Sequence, residues 1–313
     1  MNEILLKLVF VMLVTSPAEE KQANILISSI RDFGGIYADS PVYLFMSDTL
    51  NAPCRSIKSP DVKLIPLDVS DKLPPYPFLD KVLACAKAEE LLQGKSDIIV
   101  WMDVDALVVN EPAEFCLGKN KKIAIRPVNL RNNVGLIAGE PADLYWQKIY
   151  DCTKMRVNKV PLVETLVDTC QVREYLNCAI FSIRSDQRIL SEWKRIFLLL
   201  LNDPEFQSKA CTTINHKVFL HQAVLSAIIS KRVRENEIQW FSQKAGYPLH
   251  HHSELNHDKR ALKLNQLESL IYERLWDAPH WIMCTIRVDE PLRSWLRDNY
   301  ERVTGRGLFL IAL

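Results

Sequence analysis

The stretch Ile98 to Val109, IIVWMDVDALVV, is an apolar run that stops on two carboxylates one residue apart, Asp103 and Asp105. The unbroken apolar residues from Ile98 to Met102 fit a strand covered on both faces, the situation of a strand inside a parallel sheet between helical layers. Such a strand does not tolerate two charges within its length. Asp103 and Asp105 therefore belong at its carboxyl end, where open α/β sheets have their ligand crevice. Residues two apart near a strand end can point the same way, and paired hard carboxylates suit Mg²⁺ or Mn²⁺, with substrate phosphates completing the shell. Solvated turn acids are the simpler explanation of a bare Asp-x-Asp. The buried strand before the pair and the second apolar run after it, Ala106 to Val109, favour the metal reading.

The chain ahead of this strand has the alternation that a parallel sheet requires. Leu5 to Val14 reads as the first strand. The run from Ile4 to Val14 imitates the core of a signal peptide, but Glu3 precedes it, Lys7 interrupts it and no A-x-A site follows. It is also too short to span a bilayer. Ser16-Pro17-Ala18-Glu19 has the form of a capping box with proline at the first helical position. Ala23, Leu26, Ile30 and Phe33 recur at helical spacing until Gly34-Gly35 closes the helix. Strands then follow at Val42 to Met46 and Val62 to Leu67, a helix at Phe78 to Leu92 and the fourth strand at Asp97 to Met102. Pro74-Pro75-Tyr76-Pro77 is a stiff approach to that second helix. Lys81 falls in its first turn, where a cation opposes the helix dipole unless a bound anion such as a diphosphate relieves it.

The second half is less regular. Lys122 to Val128 and Tyr175 to Ile183 read as strands; Ala142 to Tyr150, Gln187 to Leu201, His216 to Ile229 and Glu290 to Tyr300 read as helices. Gln222 falls on the apolar stripe of its helix and calls for a buried partner. Tyr247 to His252 reads as a short strand, so alternation puts His250 and His252 on one face as candidate metal ligands. Asp168, Glu174 and His221 are the titratable groups near the Asn177 strand that can act on an acceptor hydroxyl, and of these Asp168 and His221 are the catalytic candidates.

Composition excludes some partners. Lys and Arg total 39 against 38 Asp and Glu, so no global field attracts nucleic acid or an anionic membrane surface. The 313 residues, 48% hydrophobic, suffice for a large core. Eight cysteines without a Cys-x-x-Cys pair read as reduced core residues of a cytoplasmic protein.

The order of these elements, with PYPFLDKVLACAKAEEL, IIVWMDVDALVV, YLNCAIFSI and FLHQAVLSAII, resembles the GT-A glycosyltransferases. The resemblance implies a GT-A (Rossmann-like) α/β fold: a mixed, mostly parallel sheet flanked by helices in a single main domain with a C-terminal helical extension. It implies a domain over residues 1–255, with a nucleotide-sugar-binding half (1–112) and an acceptor half (113–255), and an extension (256–313) packed on it. The implied function is a metal-dependent hexosyltransferase reaction. A nucleoside diphosphate sugar, a UDP-sugar foremost, would be the donor, and the acceptor would be a carbohydrate, lipid or protein. Mn²⁺ or Mg²⁺ would sit on Asp103 and Asp105, with a late histidine, His250 or His252, as a third ligand. Thr15, Ser16, Lys81, Asp103, Asn177 and Gln222 would contact the donor. The chain departs from the family pattern at Cys178-Ala179, where small residues ending in glycine are usual, and at His221, where many members have aspartate before the glutamine. Other readings are a non-catalytic donor-binding protein of this fold and a haloacid-dehalogenase-type phosphatase. The phosphatase motif sits on a first strand and needs further acids that are absent here, and a sugar-nucleotide pyrophosphorylase would need an arginine-bearing glycine loop that is also missing.

Overall fold

The computed structural model describes residues 6–47, 61–69, 73–273 and 286–304, together with Cys54, Ser56, Ile57 and Ser59. Its central sheet is built from β1 (Leu8–Val14), β2 (Val42–Ser47), β3 (Val62–Leu67), β4 (Ile98–Met102), β6 (Ile123–Pro127), β9 (Leu176–Arg184) and β10 (Ile238–Trp240), in the order β10-β6-β9-β4-β1-β2-β3. Neighbouring strands pair in parallel except at β9, which runs against both β4 and β6. The expected mixed, mostly parallel architecture is thus present, with one reversed strand next to its central strand, β4. That reversal has a consequence for the site: the amino end of β9, with Asn177, lies at the same sheet edge as the carboxyl ends of β1 and β4.

β4 is buried along its whole length. Ile99 and Trp101 enter one core, with α2 (Leu79–Leu92), α3 (Leu144–Thr153), α4 (Ile189–Leu201) and α6 (Ile214–Arg232). Ile98, Val100 and Met102 enter the other, with α1 (Pro17–Phe33). Period-2 alternation therefore feeds two cores from one strand, which is why no polar residue interrupts it. α1 starts as the sequence indicates: Ser16 Oγ accepts from the Glu19 amide at 3.3 Å. The box is not closed in the expected way, because Glu19 reaches past Ser16 to the amide and hydroxyl of Thr15 (2.6 and 2.9 Å).

A smaller sheet joins β5 (Ala106–Val108), β11 (Tyr247–Pro248) and β12 (Ser269–Ile271) in the order β11-β12-β5, and a hairpin pairs β7 (Leu162–Glu164) with β8 (Gln171–Arg173). β11 is the start of the strand read at Tyr247 to His252 and β5 falls on the apolar run Ala106 to Val109, whereas β7, β8, β12 and α5 (Pro204–Lys209) have no counterpart in the sequence reading. The C-terminal helix, α7 (Leu292–Thr304), lies against α1 through an edge-to-face contact of Trp295 with Phe33 at 5.4 Å. Its Leu292 and Leu296 share a third core with Leu107, Tyr247 and Leu270 of the small sheet and with Ile25 of α1. Seven cysteines, among the described residues, are free thiols.

Two buried acids hold the helical layer together. Glu89 on α2 accepts from the amides of Leu190 (3.1 Å) and Ser191 (2.8 Å) and from the Ser191 hydroxyl (2.6 Å). It caps α4 from a neighbouring helix, in place of the cap that α4's own Arg188 does not supply. Glu174, 2% exposed, receives the Ser230 hydroxyl of α6. Burial raises its carboxyl pKa to about 7 from 4.5, more than the Ser230 bond lowers it. The native state therefore holds a proton that the unfolded chain gives up, and stability declines as pH rises from about 4.5 to about 7. We expect Glu174→Gln to melt above the native protein at pH 8 by up to roughly 3 kcal/mol, the advantage disappearing near pH 4. Equal melting differences at both pH values would remove Glu174 as the cause.

Candidate active site

A cavity of about 1340 Å³ opens at the carboxyl edge of the parallel strands, where a crossover sheet has its ligand crevice. β1 brings Leu13 and Thr15 to it, α1 Glu19 and Gln22, β4 Trp101 and the following turn Asp103 and Asp105. β9 adds Asn177, Cys178 and Ala179; α6 adds Phe219, His221 and Gln222. The loop after β6 supplies Asn129, Leu130 and Asn132, and the small sheet with its flanks supplies His250, His251 and Glu273.

Asp103 continues the parity of Trp101 and so faces α2. Its Oδ2 accepts from Lys81 Nζ at 2.7 Å and its Oδ1 from Trp101 Nε1 at 2.7 Å, while its amide donates to the Ala179 carbonyl at 2.8 Å. Lys81 is buried, not solvated: its side chain is 4% exposed, against 25% for Asp103. Burial pulls the Lys81 pKa down and the adjacent Asp103 carboxylate pulls it up, with a net upward result, so the ammonium stays charged. A charge so deeply buried persists only with such a partner. We expect Lys81→Met and Asp103→Asn each to destabilise the fold in urea, with the double variant losing less than the sum by about 1–3 kcal/mol. Strict additivity would show that the pair is not coupled.

Asp105 has a different environment. Burial raises its pKa to about 7, Asp103 adds to the rise, Lys81 opposes it and Glu273 adds again. Glu273 has no sequence signal. It arrives because β12 pairs antiparallel with β5 and the Tyr272 amide donates to the Asp105 carbonyl at 2.9 Å. Tyr272 Oη also reaches the Val104 carbonyl at 3.3 Å, so the Asp-x-Asp turn is held from both sides.

The late histidines do not follow strand alternation. β11 ends at Pro248, and Leu249–His251 forms a 3₁₀ turn, so three successive side chains fan out. His250 Nε2 stands 3.6 Å from Glu273 Oε1 at the cavity, and burial lowers its pKa more than Glu273 raises it. His251 Nδ1 lies 3.0 Å from Glu254. His252 is buried away from the lining and its Nδ1 meets the Tyr247 hydroxyl at 2.6 Å, so the pairing of His250 with His252 on one face is not formed.

Of the remaining candidates, Thr15, Lys81, Asn177, His221 and Gln222 meet on the cavity, and Ser16 is occupied as the α1 cap. Asn177 Oδ1 accepts from the Ala179 amide at 2.8 Å, and Gln222 Oε1 is 3.7 Å from Cys178 Sγ. His221 directs Nδ1 to the Val218 carbonyl at 2.8 Å, and burial, then the Lys81 charge, hold its pKa well below the ordinary value. It is a neutral imidazole. Asp168 is not brought to the cavity: it accepts from the Arg131 amide at 3.0 Å and from the Thr165 hydroxyl, fixing the turn that follows β7. Its side chain is spent on that turn. Glu174 lies in the core beside α6.

A family profile described as Rhodobacterales glycosyltransferase domain matches residues 10–232, which includes the parallel half-sheet, the Asp-x-Asp turn, β9 and α6. The chain belongs to this glycosyltransferase family. Among solved structures, the galactosyltransferase LgtC in complex with donor and acceptor sugar analogues is similar, at 11% identity, 96% coverage of either chain and a TM-score of 0.50. An active-site glutamine-to-glutamate variant of LgtC gives 11% identity, 95% coverage of either chain and 0.50. The bifunctional WbbM glycosyltransferase matches at 13% identity over 87% of this chain, which spans about half of it (47%), with a TM-score of 0.49. LgtC shares the fold, and the GT-A expectation holds; the family match, a glycosyltransferase domain, speaks against the dehalogenase and pyrophosphorylase alternatives. No curated protein matches the sequence. Among the described residues, no helix is long and apolar enough to cross a membrane.

Proposed function

We propose that this glycosyltransferase moves a sugar, of the hexose class, from a nucleoside diphosphate sugar to an acceptor hydroxyl with the help of Mn²⁺ or Mg²⁺, and that a UDP-sugar is the donor. The convergence of Asp103, Asp105, Glu273 and His250 on one cavity at the carboxyl edge of the sheet carries this reading. Among the described residues, no three His, Cys, Asp or Glu side chains form a ready-made metal cage. That is compatible with Mg²⁺ or Mn²⁺ chemistry, in which one or two carboxylates and the substrate's phosphates share the ion. Oxygen and imidazole donors suit either metal. Asp105, with His250 and Glu273, would hold it, and a divalent charge there would offset the burial and the Asp103 and Glu273 charges that raise the Asp105 pKa. When bound, the ion supplies positive charge to the departing diphosphate.

The chain's own groups do the rest. Lys81 fixes Asp103 and places a permanent buried cation beside the cavity, where charge on the leaving group grows. Thr15 and the first turn of α1 offer the ribose and base a polar rim at the end of β1. Asn177 and Gln222 border the transferred sugar. His221, with its Nδ1 on the Val218 carbonyl, keeps Nε2 as an acceptor for the acceptor hydroxyl's proton. Asp168 gives up this role to His221 because its oxygens hold the 165–170 turn.

Mn²⁺ with UDP should raise the melting temperature of the native protein by mass action, and Asp105→Ala should abolish the shift while the apo protein still folds. GDP, CMP and ADP run in parallel identify the base. A shift that survives the substitution, or that needs no metal, would falsify the metal assignment. Once a donor is found, His221→Asn should reduce turnover about tenfold or more with donor affinity nearly unchanged.

A further inference from the structure

Phe78 borders the cavity in a conformation that its helix does not require. It caps α2 with a left-handed backbone (φ 59°, ψ 15°), makes no side-chain cap bond and is 43% exposed. A bulky residue in this region is strained, whereas glycine adopts it freely. The ring is nonetheless fixed. The His221 imidazole lies nearly parallel to it, with centroids 4.1 Å apart and planes at 21°, and Lys81 Nζ stands 5.7 Å from its centre. The approach through Pro74, Pro75 and Pro77 is stiff. Tyr76 ties it to the helical layer by a bond to Gln207 (3.2 Å) and an edge-to-face contact with Phe197 (5.8 Å).

The cavity thus carries a rigid, partly open aromatic face held at the expense of backbone strain, as occurs at ligand clamps. The same cavity is lined by Asn129 and Asn132; Asn132 is left-handed (φ 56°), and Asn129 Oδ1 has no hydrogen-bond partner among the described residues. An aromatic face combined with amide side chains is the chemistry that receives a sugar ring. The sugar's C–H face carries partial positive charge toward the ring's negative face, and its hydroxyls match the amides. A lipid tail would leave the Asn129 oxygen unpaired.

We propose that Phe78, backed by His221, is the stacking platform for a saccharide acceptor, whose hydroxyls meet Asn129 and Asn132. The proposal rests on the glycosyl-transfer reading above and concerns only its acceptor end. Saturation-transfer NMR on the full chain with Mn²⁺ and UDP, using methyl β-galactoside, methyl α-glucoside, methyl α-mannoside and lactose, tests it; 1-octanol and a Gly-Ser peptide are the non-saccharide probes. Ring C–H protons of at least one saccharide should be saturated. Binding should weaken about tenfold in Phe78→Gly and stay within about threefold in Phe78→Trp. Glycine suits the backbone at this position, so Phe78→Gly should fold, which its melting curve verifies. No saccharide signal, equal binding by Phe78→Gly, or signal from octanol or peptide alone overturns the proposal. A saccharide signal that depends on Phe78 without any Mn²⁺–UDP shift in the native protein would upset the donor assignment and leave the platform standing. A normal shift without a saccharide signal would sink the platform alone.

Discussion

The ion pair between Lys81 and Asp103 is the constraint on which the site depends. It joins the first turn of α2 to the carboxyl end of β4, and a buried ammonium cannot leave its partner without stranding a charge in the core. Trp101 closes the other oxygen of Asp103, and the Asp103 amide ties the turn to β9. Helix, central strand and reversed strand therefore meet at one carboxylate. Asp105, two residues on, has no such cation bonded to it among the described residues, and Asp103 and Glu273 lie near it. The two aspartates thus differ: Asp103 is tied into the architecture by Lys81, Trp101 and β9, whereas burial and the acids beside it raise the Asp105 pKa.

What the sequence disclosed follows from the range of the forces involved. β4 and the place of Asp103 and Asp105 were readable because an unbroken apolar run can be satisfied only between two cores, and charge is expelled to its end. The start of α1 was readable because its cap is local. Lys81 was recognised by position, but its bond to Asp103 was not, since that contact depends on how α2 crosses β4. Glu273 could not be seen at all: the strand that delivers it, β12, pairs with β5 across more than a hundred and fifty residues of chain. His252 was lost because two strand residues followed by a 3₁₀ turn do not keep the alternation assumed for a longer strand. Asp168 carried the composition of an acid near the acceptor strand, and only tertiary hydrogen bonds show it occupied.

The neutral state of His221 has a comparable origin. Its burial and, after it, the nearby Lys81 charge both disfavour imidazolium, so this residue presents a lone pair and no charge. This wall of the cavity therefore offers dipoles, the neutral imidazole and the amide of Gln222 beside it, in place of a charge.

The remote cap on α4 gives the helical layer a mechanical character. α2 is clamped near its first turn by Asp103, and further along by Glu89, whose carboxylate closes the amide end of α4. A helix held at two points along its length cannot slide or rotate about its axis without breaking one of them. The outer face of α4 is free to drift in sequence, but its first turn is tied through α2 to the position of Lys81. Accumulated change should accordingly spare Leu190–Ser191 and their contact with Glu89 even though they lie outside the cavity. A surface that looks remote from the chemistry is part of its alignment.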